Sequence, residues 1–350
     1  MDLYDRILGS LACAAMGDAL GAPTEAMSRN EILARWGGYV TTFVKPDPES
    51  VFAGGNEAGE VTDDATQMYE MAKAIIAENG DLTVAGAAQA IVNWSGYGKY
   101  YPRNAGPTTR FVVEELKRGA DPLVTGMTGG FYGRGTSNGS AMRVAAAGLV
   151  NPGNVEEAIN TAIVTCLPSH ATQIGIAGAC AIAAGIAAAM TDDADVFSVV
   201  RACIRGARQG EQYGRTHCRV APGASVAHRI GLALRVAAEA DTFDDALEAI
   251  EAHVGNECDI NASVPAAIGL FAYAMGDPMT TIIGGANVGN DTDSIACIAG
   301  SIAGAMTGFG RIPPDMYTQL RRANPEVDLE TAARQLSEIA ARRMSSGSRA

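Results

Sequence analysis

Apolar residues recur every three or four positions along most of this chain, a spacing that brings side chains to one face of an α-helix. The pattern predicts helices over residues 3–20, 66–78, 84–94, 109–118, 155–166, 174–190, 196–208, 224–240, 243–253, 264–275, 280–286, 294–307, 315–322 and 329–343. Signals for β-strands are nearly absent, because residues 39–44 form the only short run rich in β-branched side chains. We therefore expect an all-α fold, a bundle of a dozen or more helices.

The chain of 350 residues has the composition of a well-packed protein. Apolar residues make up 47% and charged residues only 19%, so a large core can form and disorder of the whole chain is excluded. No Pro/Gly-rich segment separates regions of different composition. The sequence thus predicts a single domain over residues 1–344 and a flexible tail over residues 345–350.

The acidic balance of the chain bears on its partners. With 39 acidic and 26 basic residues, the formal net charge of −13 argues against binding to nucleic acid or an anionic membrane. Seven cysteines form no C-x-x-C pair, as expected for reduced thiols in a cytoplasmic protein. No basic region precedes an apolar stretch at the N-terminus, and the weakly apolar run 171–191 predicts a buried central helix rather than a membrane span.

Three glycine-rich segments, residues 54–60, 126–139 and 284–290, are each followed by a helical segment. A loop that leads into a helix N-terminus offers free N–H groups and the positive end of the helix dipole, so it suits an anion. These segments are therefore the first places to look for a functional site.

Pairs of acids follow the first and third of these segments. Residues 61–64 read Val-Thr-Asp-Asp, and residues 289–294 read Gly-Asn-Asp-Thr-Asp-Ser. Helix positions i and i+2 lie about 200° apart, so Asp291 and Asp293 can share a ligand only where the loop turns into the helix. Carboxylate and hydroxyl oxygens suit Mg²⁺, Mn²⁺ or Ca²⁺ better than zinc or copper, and four carboxylates could hold two such ions.

The same letters also fit simple helix capping, because Thr and Asp are common N-cap residues. Residues 191–194 repeat residues 62–65 letter for letter, and spacing alone does not choose between the two copies. Residues 135–139 match the G-x-S-x-G nucleophile elbow, but that elbow needs a preceding strand. The aromatic residues of segment 94–101 fit either packing or a stacking wall for a base or a guanidinium.

Taken in order, five segments resemble the ADP-ribosylglycohydrolase family. Residues 17–25 look like its G-D-A-x-G-x-x-x-E motif, and residues 62–64 look like the start of its T-D-D-T motif. Residues 137–143 resemble G-N-G-x-A-M-R, His170 stands where the family has T-H before a long helix, and residues 291–296 resemble the end of G-D-T-D-T-I-A. The resemblance covers most of the chain and favours residues 62–64 over the second copy.

The resemblance implies an all-α enzyme that cleaves the C1″ bond of an ADP-ribosyl group on a protein or small molecule, using two Mg²⁺ (or Mn²⁺) ions. The implied metal ligands are Thr62, Asp63, Asp64, Asp291, Asp293 and Ser294. Glu25 is the implied acid that positions or deprotonates the attacking water. The predicted substrate-binding residues are Thr136, Ser137, Asn138, Gly139 and Ser140 for the diphosphate, with His170 nearby, and Asn104 and Tyr97.

The sequence departs from the family pattern at two positions. Ala65 replaces the last Thr of T-D-D-T, and Asn104 replaces the Asp of a D-I-G-x-x-T segment. A carboxamide neither ligates as an anion nor acts as a general base. Asn104 and the aromatic segment 94–101 leave open an N-glycohydrolase of a free nucleoside or small N-riboside. Since the family also includes a lens crystallin with a structural role, a catalytically silent structural relative is a further alternative.

Overall fold

The computed structural model describes residues 2–129 and 134–347, and α-helices make up most of this part of the chain. The helices are α1 (Leu3–Gly21), α2 (Arg29–Trp36), α3 (Asp63–Ala77), α4 (Val84–Trp94), α5 (Tyr101–Asn104), α6 (Pro107–Lys117), α7 (Pro122–Met127), α8 (Ala145–Leu149), α9 (Val155–Cys166), α10 (Gln173–Ala189), α11 (Val196–His217), α12 (Val226–Glu239), α13 (Phe243–Ala249), α14 (Ile260–Tyr273), α15 (Pro278–Asn287), α16 (Thr292–Thr307), α17 (Pro314–Ala323) and α18 (Leu329–Gly347). Short 3₁₀-helices lie at Ala22–Thr24, Asn138–Ser140 and Phe309–Arg311.

The predicted all-α fold in one compact domain is confirmed, with differences in detail. Helices α4 and α9 have the predicted bounds, whereas α11 continues from the predicted end at residue 208 to His217. The predicted helix 243–253 is divided into α13 and a π-helical turn, Ile250–Val254. Helices α2, α5, α7 and α8 were not predicted. They are short, with four to eight residues each, so each contains few periods of the apolar pattern.

Helix α14 begins at Ile260, four residues before its predicted start, and it continues through an internal proline, Pro265. Proline favours the first turn of a helix and removes the N–H that would bond to the carbonyl four residues earlier. That carbonyl belongs to Asn261, and it accepts a hydrogen bond from Arg229 Nη1 at 3.2 Å. A side chain from α12 thus replaces the missing backbone donor and lets the helix continue through the proline.

The third glycine-rich segment is mostly helical rather than a loop. Residues 284–287 of the third glycine-rich segment belong to α15, so only residues 288–291 connect it to α16. Residues 39–44 are not a strand; the Asn287 side chain bonds both the N–H and the carbonyl of Val40, at 2.8 and 2.9 Å. Helix α18 continues to Gly347, so residues 345–347 of the predicted tail are helical. Residues 130–133 of the second segment and residues 348–350 of the predicted tail lie outside the described residues.

Helices α1 and α16 are in close contact, and this contact brings the C-terminal end of α1 to the N-terminal end of α16. The two helices run antiparallel, and α1 is buried on all sides from Arg6 to Gly21. A Cβ atom at Gly9 would lie 2.6 Å from the carbonyl oxygen of Gly304, and one at Gly17 would collide with the backbone of Ala296. Because glycine has no side chain, the two backbones touch directly, and the end of α1 lies against the beginning of α16.

The predicted buried central helix is confirmed as α10, of which every residue but Ala188 is buried. It packs on α11 where Gly206 and Gly210 face the backbone of the Ile176–Cys180 stretch. Within the described residues, no helix is both long and apolar enough to cross a membrane. All seven cysteines are free thiols.

Replacing Gly17 by alanine should test the α1–α16 contact. We expect this substitution to lower the free energy of unfolding by about 1–3 kcal/mol, because the added methyl group overpacks a backbone contact. The matched control is Gly231→Ala on the exposed face of α12, where a Cβ would meet nothing within 4 Å. There we expect stabilisation of up to about 1 kcal/mol from helix propensity. Urea denaturation measures both, and effects of the same sign would contradict the proposed contact.

Candidate functional site

Five carboxylates from three parts of the chain converge on one cavity. Glu25 follows the short 3₁₀-helix after α1, Asp63 and Asp64 open α3, and Asp291 and Asp293 stand at the start of α16. All five line a cavity of about 460 Å³. Single carboxylate oxygens of Glu25, Asp291 and Asp293 lie within 4.8 Å of one another. This is the spacing that oxygen ligands of one cation can adopt.

Backbone contacts hold the Glu25 segment against the start of α16. The N–H of Ala26 donates to the carbonyl of Asn290 at 2.8 Å, and the N–H of Asn290 donates to the carbonyl of Met27 at 2.8 Å. Asn290 adopts a left-handed backbone conformation, with φ of 59°, just before Asp291. A Cβ at Gly21 would lie 2.5 Å from the Cα of Asp293, so the glycine is needed for this approach.

Asp18, buried within α1, organises the start of α3. Its carboxylate accepts hydrogen bonds from the N–H of Thr62 at 3.0 Å, from Thr62 Oγ1 at 2.9 Å and from the N–H of Ala65 at 2.9 Å. The Thr62 side chain itself makes no capping bond, so Asp18 caps α3 from another helix. Asp18 was not predicted as a site residue, although it is the only charged residue between positions 7 and 24.

The hydrogen bond to Asp18 also determines how the proton of the Thr62 hydroxyl is oriented. A hydroxyl has one proton, and Asp18 is its nearest acceptor at 2.9 Å. The same oxygen lies 3.3 Å from Asp293 Oδ2 and 3.5 Å from Asp64 Oδ2. With its proton donated to Asp18, the oxygen keeps lone pairs available to a cation held among the carboxylates.

The electrostatics of the site favour a bound cation. Burial, with repulsion from Asp293 as the next cause, raises the pKa of Glu25, Asp63 and Asp64 well above the usual range, that of Asp291 to about 8 and that of Asp18 to about 7. Buried acids with raised pKa values resist ionisation, and a divalent cation reverses this tendency. The described residues that line the cavity include a sixth carboxylate, that of Asp259, and no Lys, Arg or His.

Two buried carboxylate oxygens are free to bind such a cation. Glu25 Oε2 and Asp64 Oδ1 have no hydrogen-bond partner among the described residues. An unpaired buried carboxylate oxygen is costly unless an ion or water satisfies it. The donor set is all oxygen, which suits Mg²⁺ or Mn²⁺. The residues present therefore fit a divalent cation.

The structure brings together all six residues predicted to be metal ligands. Asp63, Asp64, Asp291, Asp293 and Ser294 line the cavity, and Thr62 contacts Asp293. Glu25, predicted only as the catalytic acid, lies within reach of the same cation as Asp291 and Asp293.

The predicted substrate loop divides into two groups. Ser137, Asn138 and Gly139 line the cavity. Asn138 Nδ2 donates to Asp291 Oδ2 at 2.5 Å, and its backbone N–H donates to the carbonyl of Cys258 at 2.8 Å, so this N–H is not available to a diphosphate. Ser140 is fully buried and donates to the carbonyl of Gly175 at 3.1 Å.

Three other predicted substrate-binding residues lie away from the described cavity lining. Thr136 Oγ1 is 3.4 Å from Asp259 Oδ1, and His170 is fully buried behind Ser137. Tyr97 donates to Glu70 Oε1 at 2.6 Å.

The aromatic cluster around Tyr97 packs within itself. The rings of Trp94 and Tyr101 meet edge to face at 5.6 Å, and those of Tyr97 and Tyr100 lie 6.2 Å apart. Trp94 Nε1 donates to Thr66 Oγ1 at 2.9 Å. These contacts favour the packing interpretation over a stacking wall.

Asn104 lines the cavity and holds a loop beside it. Its Nδ2 donates to the carbonyl of Phe52 at 3.1 Å. The neighbouring Arg103 donates to the carbonyl of Gly54 at 2.8 Å and to Asn56 Oδ1 at 2.6 Å. A carboxylate at position 104 could not donate the first of these bonds, so the carboxamide has a structural use.

The second Thr-Asp-Asp-Ala copy lies on the surface, as expected. Asp192 and Asp193 are exposed, and Asp192 forms an ion pair with Arg6 at 3.1 Å. The cap of the following helix α11 is Asp195, which accepts from the N–H of Ser198 at 2.7 Å. This copy is therefore a solvated turn, and the two copies serve as a matched pair for experiments.

Comparisons with known proteins agree with this architecture. Residues 1–346 match the family model described as ADP-ribosylglycohydrolase. The chain is 30% identical over 322 residues to the uncharacterized protein YegU of Escherichia coli (strain K12), covering 91% of this chain and 93% of that protein. It is 25% identical over 351 residues to ADP-ribosylhydrolase ARH3 of Homo sapiens, covering 93% and 91%.

A solved structure has the same fold. It is described as an ADP-ribosylglycohydrolase-related protein complex, and it matches with a TM-score of 0.65 at 19% identity, covering 97% of this chain and 99% of that one. The family match and the named relatives assign the chain to a class of hydrolases that act on ADP-ribosyl glycosidic bonds. The chain belongs to the ADP-ribosylglycohydrolase family.

The raised pKa values predict how Mg²⁺ affects stability at different pH. An acid whose pKa is higher in the folded than in the unfolded protein contributes stability below its unfolded pKa, near 4, and loses it as pH rises through the folded value of about 7 to 8. The metal-free protein should therefore lose stability between about pH 4 and pH 8. Mg²⁺ binds the ionised acids, so it should raise Tm more at about pH 8 than at about pH 5.

Thermal unfolding in Mg²⁺ or EDTA measures this difference. Asp193→Asn, in the exposed copy, is the control that should retain the Mg²⁺ effect, and Asp64→Asn should lose it. An equal Tm increase at both pH values would contradict the linkage between these acids and the metal.

Proposed function

We propose that this protein is a Mg²⁺-dependent glycohydrolase that cleaves the C1″ bond of an ADP-ribosyl group, with two divalent ions held at the carboxylate cluster. The observation that carries the proposal is the convergence of Glu25, Asp63, Asp64, Asp291 and Asp293 on one cavity, with free carboxylate oxygens. Membership of the ADP-ribosylglycohydrolase family and similarity to a protein named ADP-ribosylhydrolase support the substrate class. Mn²⁺ has the same ligand preference and is a second candidate ion.

The residues of the site divide the work of the reaction. Divalent ions bound here would stabilise developing negative charge and supply an activated water. Glu25, whose Oε2 has no described partner, would orient the attacking water and accept its proton. Asp18 and Asn138 would hold Thr62 and Asp291, respectively, in position for the ions. Burial of Asp64, Asp291 and Asp293 in the cavity wall strengthens these interactions relative to bulk water.

A small N-riboside, such as a nucleoside, is a second candidate substrate. The described residues that line the cavity include no cationic side chain to meet a diphosphate. A neutral riboside avoids the repulsion that six carboxylates would exert on phosphate charge. The third possibility, a silent structural relative, is disfavoured because every predicted carboxylate lies at the site.

The composition supports two further parts of the proposal. With a net charge of −13, we infer an ADP-ribosylated protein or small molecule, rather than nucleic acid or a membrane, as the partner. Seven free thiols, most of them buried, support a cytoplasmic location.

A release assay tests the reaction. ADP-ribosyl-arginine and ADP-ribosyl-serine peptides and a panel of nucleosides are incubated with the protein, and free ADP-ribose or base is measured with Mg²⁺ or EDTA. We expect ADP-ribose release that EDTA abolishes. Asp64→Asn and Asp291→Ala should lower kcat at least about 100-fold, since each removes a ligand that supports several kcal/mol of charge stabilisation.

Asp193→Asn is the control for the same assay and should keep wild-type activity, because it alters the exposed copy of the motif. Metal-independent release, or undiminished release by Asp64→Asn, would contradict the mechanism. Turnover of nucleosides far above that of the peptides would favour the riboside.

A further inference from the structure

A chain of five hydrogen bonds joins two parts of the cavity wall through the protein interior. Both end residues, Asp63 and Ser137, line the cavity. The bonded pairs are Asp63 Oδ2 with Gln67 Nε2 (2.9 Å), Gln67 Oε1 with Arg143 Nη1 (2.9 Å), Arg143 Nη2 with Ser169 Oγ (2.6 Å), Ser169 Oγ with His170 Nδ1 (2.9 Å), and His170 Nε2 with Ser137 Oγ (3.0 Å). The four inner residues are at most 3% exposed.

Arg143 is the member that fixes the direction of these bonds, because a guanidinium group can only donate. Towards α3, its Nη1 requires the carbonyl oxygen of Gln67 as acceptor, which turns the NH₂ group of that amide to Asp63. Towards α10, its Nη2 requires Ser169 Oγ as acceptor. Both neighbours of Arg143 therefore have only one possible orientation.

The orientation of the Ser169 hydroxyl determines which nitrogen of His170 carries the proton. With its oxygen accepting from Arg143, the Ser169 hydroxyl has its own proton to place, and His170 Nδ1 at 2.9 Å is the acceptor that the described residues provide. Nδ1 is then the nitrogen without a proton. If Nδ1 carried a proton instead, the buried Ser169 proton would be left without an acceptor, at a cost of about 1–3 kcal/mol.

The protonation of the His170 imidazole in turn determines the hydrogen bond to Ser137. Burial, with the charge of Arg143 as a second cause, lowers the pKa of His170 well below its usual value, so the ring is neutral and has a single N–H. Since Nδ1 accepts, this N–H is on Nε2 and donates to Ser137 Oγ. Gly139 leaves room for the ring, because a Cβ there would lie 3.2 Å from Nε2.

We propose that Arg143 is a positioning residue that sets the direction of the whole chain, so that the Ser137 hydroxyl keeps its own proton for an acceptor oxygen of the bound ligand. This acceptor oxygen would belong to a phosphate or to a ribose of the ligand. The identity of the ligand is the part of the inference that rests on the proposed function. The direction of the bonds does not depend on it. The same direction argues against Ser137 as a nucleophile, because an imidazole that donates to a hydroxyl cannot remove its proton.

Long-range ¹H–¹⁵N correlation spectra of histidine-labelled protein test the direction. We expect a neutral His170 ring with the proton on Nε2 and none on Nδ1, and His170→Asn assigns the signals among the four histidines. A proton on Nδ1, or on both nitrogens, would overturn the proposal. This measurement uses the wild-type protein and requires neither activity nor a ligand.

Substitutions of Arg143 test whether it is the source of the direction. Arg143→Met removes the donor, so Ser169 could then accept from Nδ1–H, and we expect a mixture of the two neutral tautomers. Arg143→Lys retains a group that can only donate and should preserve the wild-type tautomer. An unchanged tautomer in Arg143→Met would overturn the role of Arg143. If that variant does not fold, the wild-type spectrum still decides the direction.

Ligand binding tests the Ser137 proton. With saturating Mg²⁺, we expect Ser137→Ala to weaken ADP-ribose binding about 10-fold or more in calorimetry, as for loss of a bond to a charged acceptor. Ser10→Ala is the control, because the buried hydroxyl of Ser10 donates to the carbonyl of Ser301 and takes no part in the five hydrogen bonds. Equal loss for ADP and ADP-ribose assigns the acceptor to the diphosphate, and loss for ADP-ribose alone assigns it to the distal ribose. Unchanged binding of both would overturn the contact.

Failure of wild-type protein to bind ADP-ribose would contradict the proposed function. The tautomer of His170 would still decide the direction of the bonds, so the two failures are distinguishable.

Discussion

The direct contact between the backbones of α1 and α16 is the constraint on which the site depends. Glycines at positions 9, 17 and 21 remove the side chains that would otherwise separate these helices. The contact brings the segment after α1, with Glu25, against the beginning of α16, with Asp291 and Asp293. It also places Asp18 where it can cap α3. These three glycines therefore serve helix packing rather than loop flexibility.

The folded chain concentrates negative charge at a place where it cannot be solvated. Asp64, Asp291 and Asp293 are buried and Glu25 and Asp63 are half-buried, and the acids make ionisation of one another harder. A protein of ordinary stability can hold such a cluster because protonation, or a bound cation, relieves the repulsion. The repulsion among these acids therefore lowers the stability of the metal-free fold and raises its affinity for a cation.

The sequence predicted the fold class and most long helices, because their apolar periodicity extends over several turns. It also predicted that the acids flank helix starts, but two Thr-Asp-Asp-Ala copies were locally identical, and only the family order of motifs separated them. Contacts between residues far apart in sequence could not be predicted from local spacing. Three such contacts join segments more than 30 residues apart: the capping of α3 by Asp18, the Asn138–Asp291 hydrogen bond, and the packing of His170 behind Ser137.

The capping of α3 by a carboxylate from α1 has a consequence for the segment between them. Because Asp18 grips Thr62 and Ala65 directly, the start of α3 does not depend on the intervening loop for its position. That loop, which contributes Phe52 to the cavity, can change in length or composition without displacing the ligands on α3. This wall segment and the ligands on α3 are therefore held by separate hydrogen bonds, so that a change in one need not move the other.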